Sequence, residues 1–110
     1  MPLSEKARIE VYIPALPQQT YQNLLDALAQ EFTYTFGGST IIRGLEGSYL
    51  SRLGVRMQDR VHIIYTDTPF AFAENFERIS RYIDALREAA FEALTEEAIL
   101  VVALQVYHAE

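Results

Sequence analysis

The sequence predicts an α+β fold of order β-α-β-β-α-β, with one four-stranded antiparallel sheet and both helices on one face of it. Three observations predict this fold class. Two segments carry apolar residues at helical spacing, four others carry strand patterns, and the order strand-helix-strand occurs once in each half of the chain. At 110 residues the chain can bury one hydrophobic core but not two, so residues 1–110 are predicted to form a single domain.

The first half of the chain predicts a strand, a helix and a second strand. Apolar and polar residues alternate over residues 7–13, which indicates a half-buried strand. Thr20 can cap a helix over residues 20–32, where apolar residues recur at helical spacing. A glycine turn begins at Gly37, and β-branched residues follow in a strand over residues 39–45.

The second half predicts the remaining strands and the second helix. Residues 61–66 are β-branched and aromatic, so they form a third strand that is paired with the second through a loop over residues 46–58. Thr68, which precedes a proline, marks the start of a helix that continues to residue 94. The last strand covers residues 98–107.

The predicted second helix is amphipathic. Glu74 with Arg78, and Glu77 with Arg81, are spaced for ion pairs on its outer face, each worth a few tenths of a kcal/mol. The apolar stripe that faces the sheet consists of Phe72, Phe76, Ile79, Ile83, Leu86, Ala90 and Ala93.

The last strand is apolar on both faces, although two helices on one side can cover only one face of the sheet. Together with Tyr12 of the first strand, the uncovered row forms an apolar patch of the kind that marks an interface. We therefore expect a homo-oligomer, with a dimer as the first choice and a trimer as the second. Coverage by the chain's own C-terminal residues is the alternative. The row consists of Leu100, Val102, Leu104 and Val106.

The order of elements resembles the ferredoxin-like group, which includes the PII-like nucleotide-sensing trimers, the ACT domains and the dimeric α/β-barrel proteins. The resemblance covers nearly the whole chain and is one of topology. PII-like proteins carry a long loop between strands two and three, and residues 46–58 occupy that place. Residues 36–40, 44–49 and 65–70 also look like segments of small bacterial families of unassigned function. The resemblance implies the fold and carries over no catalytic residue.

The hairpin between strands two and three holds the best candidates for ligand binding. Arg43, Tyr49 and Arg52 lie in or beside it, in the one locally basic and hydroxyl-rich stretch of an acidic chain. Arginine can hold a carboxylate or phosphate through paired hydrogen bonds, so a small anionic ligand is expected there. His62 is expected to join them from the open face of the sheet, near Tyr12. A polar hairpin without a ligand, and hydrogen bonding within an oligomer interface, are the simpler alternatives.

Composition excludes several classes of partner. The formal charge is −6 and the basic residues are scattered, so neither nucleic acid nor an anionic membrane is an expected partner. There is no cysteine, and neither His62 nor His108 has a ligand at metal-binding spacing, so no cofactor and no metal are expected. His108 is expected to be frayed. The N-terminal residues lack the pattern of a signal peptide, which favours the cytoplasm.

The sequence favours a non-enzymatic, homo-oligomeric module that binds a small molecule or a protein, because an apolar open face is combined with an arginine-bearing loop. No spacing typical of a nucleophile elbow or a catalytic metal site occurs. The alternative is a small enzyme of the dimeric α/β-barrel type. Its cleft would lie between the sheet and the loop over residues 46–58, surrounded by His62, Arg43, Tyr65 and Asp67.

Overall fold

Six elements follow one another in the order β-α-β-β-α-β in the computed structural model, which describes residues 2–94 and 99–109. The strands form one antiparallel sheet in which the spatial order is second, third, first and fourth strand of the chain. The predicted ferredoxin-like α+β fold is thus confirmed. The elements are β1 (Leu3–Pro14), α1 (Gln19–Phe36), β2 (Thr40–Leu50), β3 (Arg56–Asp67), α2 (Phe76–Leu94) and β4 (Leu100–Ala109).

The two faces of the sheet differ because successive residues of a strand point to opposite sides. Val11 of β1 pairs with Ile64 of β3 and Val101 of β4, and this row lies under the helices. We call that side the helix face. Tyr12 pairs with Ile63 and with Leu100, and this row lies on the opposite side, the open face.

The core lies between the helix face and the two helices. Phe32 of α1 is completely buried, as are the side chains of β1 that alternate toward the helices. In α2 the buried stripe ends at Leu94 instead of the predicted Ala93. Phe76, predicted as part of the stripe, is exposed at the start of the helix. The buried members of the two helices are Tyr21, Leu24, Leu25, Leu28, Phe32, Ile79, Leu86, Ala90 and Leu94.

Helix α1 is longer at both ends than its pattern predicts. It begins at Gln19, after Gln18 in an extended conformation, and the predicted cap by Thr20 is not used. Its last turn continues to Phe36 and is closed by Gly37, whose φ of 95° is left-handed and whose N–H donates to the carbonyl of Thr33. A glycine carries no Cβ penalty in this conformation, so the position suits the helix end.

The predicted loop over residues 46–58 is wrong, since most of it is paired strand. Strand β2 continues to Leu50 and β3 starts at Arg56, so only the residues between them turn. Gly47, a residue type that is rare in strands, pairs with Asp59 within the ladder. Glycine weakens a strand but does not end one whose partner strand continues beside it. We call residues 47–59 the hairpin arm.

The predicted start of α2 at Thr68 is also wrong, because the helix begins eight residues later, at Phe76. Residues 68–75 form turns that are tied to β1 instead. The N–H of Thr68 donates to the carbonyl of Ala7 at 2.8 Å, and its hydroxyl accepts from the N–H of Phe70 at 3.2 Å. A threonine before a proline suits a turn as well as a helix start, and the bonds to β1 decide for the turn.

The predicted ion pairs on α2 do not form. The described residues hold three ion pairs, and neither Arg78 nor Arg81 takes part in any of them. The last strand is described from Leu100 to Ala109. Ala98, where the sequence predicts its start, lies outside the described residues. No helix in the described part of the chain is long and apolar enough to cross a membrane.

Candidate functional site

Side chains from three strands meet on the open face around Asp67. Arg8 of β1 donates from Nε to Asp67 Oδ1 at 2.6 Å and from Nη2 to Oδ2 at 3.0 Å. Nε2 of His108, in β4, lies 2.8 Å from Asp67 Oδ2. The Arg8 guanidinium also lies 4.2 Å from the centre of the Tyr65 ring. We call Arg8, Tyr65, Asp67 and His108 the open-face cluster.

The pKa values within the open-face cluster reflect this pairing. The hydrogen bond from Arg8 lowers the pKa of the Asp67 carboxyl; partial burial opposes this shift, and the contact with His108 adds to it. The same bond raises the pKa of Arg8. Asp67 is therefore ionised at neutral pH and its charge is neutralised within the cluster.

The prediction that His108 is frayed is wrong, because it is a half-buried strand residue bound to Asp67. Sequence reasoning also missed Arg8 as a member of the cluster. Its signal was present: Arg8 is a charged residue in the half-buried alternation of β1, on the same face as Tyr12. Nothing in the sequence connects residue 8 with residues 67 and 108, which only the sheet order brings together.

Apolar side chains border the open-face cluster on β4. Leu100 is 55% exposed and Leu104 is 36% exposed, while Val102 and Val106 are half-buried. Beside them, the Tyr12 hydroxyl donates to Glu10 Oε1 at 2.9 Å, and this bond raises the pKa of Tyr12. All five residues predicted for the interface thus lie on the open face, opposite both helices.

The hairpin arm adds a second exposed apolar surface. Its tip is fixed by Ser51, whose N–H donates to the carbonyl of Val55 at 2.9 Å and whose hydroxyl accepts from Val55 N–H at 3.2 Å. Around this ordered turn, Leu53 is 90% exposed and Leu50 is 73% exposed. The molecule measures 47 × 27 × 25 Å, an elongation that fits an arm extending from the body.

Arg43 and His62, two of the four predicted ligand residues, lie together at a bulge. The pairing of β2 with β3 shifts between Ile42 and Leu45, and Gly44 there has a φ of 70°. The N–H of Gly44 donates to His62 Nδ1 at 3.0 Å. Partial burial lowers the pKa of His62, and the positive charge of Arg43 lowers it further.

The expected place of His62 on the open face, near Tyr12, is wrong. His62 pairs with Ile13, whose side chain is buried under the helices, so His62 lies on the helix face. Arg43 also reaches toward the helices, with Nη1 at 3.5 Å from Gln22 Oε1 of α1. Tyr65 and Asp67 lie on the open face, so the four residues of the predicted enzyme cleft are divided between two faces.

Tyr49 and Arg52, the other two predicted ligand residues, lie further along the hairpin arm. Tyr49 pairs with Met57, five residues before His62 in β3, which corresponds to about 17 Å along a strand. Arg52 lies in the turn at the tip. One protomer therefore does not bring all four residues to one point.

A cavity of about 630 Å³ lies at the base of the hairpin arm, and its lining contains none of the four predicted ligand residues. Charged side chains of both signs line it, among them Glu46, Arg56, Asp59 and Arg60. Arg60 Nη2 lies 3.7 Å from Glu46 Oε1, and both side chains are exposed. Within residues 2–94 and 99–109, no group of three His, Asp or Glu side chains is arranged to hold a metal ion.

No protein-family model matches the sequence, and no curated protein matches it either. Solved structures do resemble it. A phage SAM lyase in complex with S-methyl-5'-thioadenosine has a TM-score of 0.60 and 10% identity, covering 96% of this chain and 90% of that one. CutA from Synechococcus elongatus has a TM-score of 0.57 and 13% identity, covering 94% and 80%.

CPII from Thiomonas intermedia, a nitrogen regulatory PII-like protein bound to ADP, AMP and bicarbonate, has a TM-score of 0.51 and 16% identity, covering 99% of this chain and 100% of that one. The resemblance to PII-like proteins that the sequence suggests is thus confirmed for the fold, and CutA proteins share it. At these identities the likeness shows the ferredoxin-like fold alone.

Proposed function

We propose that this protein is a non-enzymatic, homo-oligomeric binding module whose subunits pack against one another through the open face of the sheet. The observation that carries this proposal is the apolar row of β4, with Leu100 and Leu104 partly exposed on the face opposite both helices. Burying apolar surface stabilises an interface by about 25 cal/mol for each Å² removed from water. A second copy supplies the missing layer.

The open-face cluster is compatible with burial in such an interface. A charge that enters an interface unpaired is costly, whereas Asp67 already has Arg8 and His108 as hydrogen-bonding partners. The cluster would also restrict the way in which two sheets can meet, since its polar groups must face polar groups or water. It therefore contributes to the register of the subunits rather than to their affinity.

The hairpin arm supports the same proposal. Its exposed apolar side chains lie too far from the core of their own protomer to be buried by it, as Leu53 shows at the tip. An ordered arm with exposed apolar side chains suits contact with a neighbouring copy. A dimer is the first choice and a trimer the second.

The proposed assembly is compatible with a small anionic ligand between subunits. Arg43 and His62 lie together in one protomer, while Tyr49 and Arg52 lie on the arm. If the arm reaches a neighbour, the four residues meet between subunits, where arginine can bind a carboxylate or phosphate. CPII, described as bound to ADP, AMP and bicarbonate, supports a binding role for this fold. The proposal takes the chain as one cytoplasmic domain without nucleic acid or a membrane as partner.

The proposal is tested by one aspartate on each face of β4. Leu104→Asp places a charge in the proposed interface, and Tyr107→Asp places the same charge on the same strand at an exposed position that alternates to the other side. We expect the first variant to dissociate into folded monomers and the second to keep the mass of the unmodified protein. Light scattering behind a sizing column measures both masses. Equal masses for the two variants would contradict the proposal.

A further inference from the structure

A cavity of about 300 Å³ opens among the two helices, the helix face of β1 and the turns over residues 68–75. It lies on the side of the molecule away from the open face, and no residue of its lining belongs to the hairpin arm or to the open-face cluster. One water molecule occupies about 30 Å³ in the liquid, so the space is far larger than a packing defect. It lies at the lower end of the range for small-molecule sites, about 300–1,000 Å³.

The walls of this cavity are aromatic. The ring of Phe36 stands nearly perpendicular to the ring of Phe70, at 87° with 6.4 Å between centres, and to the ring of Tyr82, at 81° with 5.2 Å between centres. Ile9 and Ile79 complete the apolar lining. Aromatic rings favour edge-to-face and offset contacts with a further ring, so this lining suits a planar aromatic group.

Arg78 gives the cavity its charge. Its guanidinium lies 4.9 Å from the centre of the Phe70 ring, and it is the one charged side chain among the described residues that line the space. None of the three ion pairs in the described part of the chain includes it. The formal charge of the protein is −6, and Arg78 has no carboxylate partner among the described residues, so this arginine at an aromatic cavity favours an anionic ligand group.

A carboxylate beside the cavity restricts the orientation of such a ligand. Glu31 Oε2 accepts a hydrogen bond from the Tyr82 hydroxyl at 2.6 Å and another from the Thr35 hydroxyl at 2.9 Å. Both hydroxyls are therefore engaged, and the Glu31 carboxylate repels a second anion on that side. An anionic group is favoured only at the Arg78 end.

We infer that this cavity binds a small aromatic carboxylate, with its ring between Phe36, Phe70 and Tyr82 and its carboxylate on Arg78. The site is complete within one protomer. Because the site does not depend on the subunit interface, the test of this inference is independent of the test of the proposed oligomer.

Phenylacetate and benzyl alcohol, which carry the same ring with and without a carboxylate, are the probes. Each is titrated into the full chain while NMR follows the ring signals of Phe36, Phe70 and Tyr82. We expect phenylacetate to shift these signals with a dissociation constant in the millimolar range or below, and to bind about tenfold more tightly than benzyl alcohol, as expected for one charge-assisted contact. Acetate alone should leave the rings unchanged.

The matched variants are Arg78→Gln and Arg81→Gln, two exposed arginines of α2 of which only the first lines the cavity. We expect Arg78→Gln to weaken phenylacetate about tenfold without weakening benzyl alcohol, and Arg81→Gln to change neither. The inference is overturned if phenylacetate leaves the three rings unshifted, if both probes bind equally, or if the two variants have the same effect.

Discussion

Asp67 shows how a single residue connects three strands. It accepts hydrogen bonds from Arg8 of β1, lies 2.8 Å from His108 of β4, and itself belongs to β3. The alternation of polar and apolar residues in the sequence predicts that Arg8 faces away from the helices. The identity of its partner depends on strand order and register, which that alternation does not contain.

Replacing Asp67 by asparagine removes the negative charge and one acceptor oxygen at a half-buried position. We expect Asp67→Asn to lower the free energy of unfolding by about 1–3 kcal/mol, because the Arg8 guanidinium loses a charged partner. Glu46→Gln breaks the exposed pair with Arg60 and should change the free energy of unfolding by less than about 1 kcal/mol. Urea unfolding of the two variants at neutral pH measures both effects. A loss in Asp67→Asn no larger than that in Glu46→Gln would show that the cluster does not stabilise the fold.

His62 predicts a dependence of stability on pH. Its pKa in the folded state lies below the ordinary value of 6.5, so the unfolded chain takes up the proton more readily. The free energy of unfolding should therefore fall as the pH falls from 6.5 toward the lowered pKa. Asp67, whose pKa is lowered from 3.8, loses its contribution only below that pH and does not interfere.

His62→Asn tests this dependence, since an asparagine oxygen can accept from the Gly44 N–H near the position of Nδ1 and does not titrate. Urea unfolding at about pH 7.5 and about pH 5.5 should give a loss in the unmodified protein that is smaller in the variant. The same loss in both proteins would assign the pH dependence to another group.

At the scale of elements, periodicity predicts all four strands and both helices, because each buries one face or stripe against the core. Two of the errors fall where local signals compete with tertiary contacts. Gly47 is a breaker by propensity, yet it pairs with Asp59. Thr68 suits a helix start, yet its backbone N–H bonds to Ala7 of β1. In both places hydrogen bonds to a distant strand decide the conformation.

The hairpin arm should serve assembly rather than folding. Replacing residues 49–57 by Asn-Gly keeps the pair of Ser48 with Gln58 and closes β2 and β3 with a two-residue turn. The residues of the hydrophobic core all lie outside the replaced segment, so the protomer should still fold. We expect the shortened protein to dissociate at a higher concentration than the full chain. Sedimentation over a dilution series measures this, and an unchanged profile would show that the arm takes no part in the interface.

At the scale of the whole molecule, the fold and the apolar row of β4 could be predicted from the sequence, since both follow from periodicity. Which of the four predicted ligand residues lie close together could not be predicted from the sequence. Arg43 and His62 come together through a bulge, while Tyr49 lies about 17 Å away along a strand and Arg52 lies beyond it, in the turn at the tip. The cavity beside Arg78 could not be predicted from the sequence either, because Phe36, Phe70 and Tyr82 belong to three separate segments.

The fold alone does not decide what the protein does, since CutA, CPII and a phage SAM lyase share it. The proposed function rests on the apolar row of β4 that the helices leave uncovered. The absolute mass of the unmodified protein in solution, by light scattering behind a sizing column at two concentrations, measures whether a second copy covers it. We expect a multiple of 12.5 kDa that persists on dilution. A mass of 12.5 kDa at both concentrations would contradict an interface on the open face.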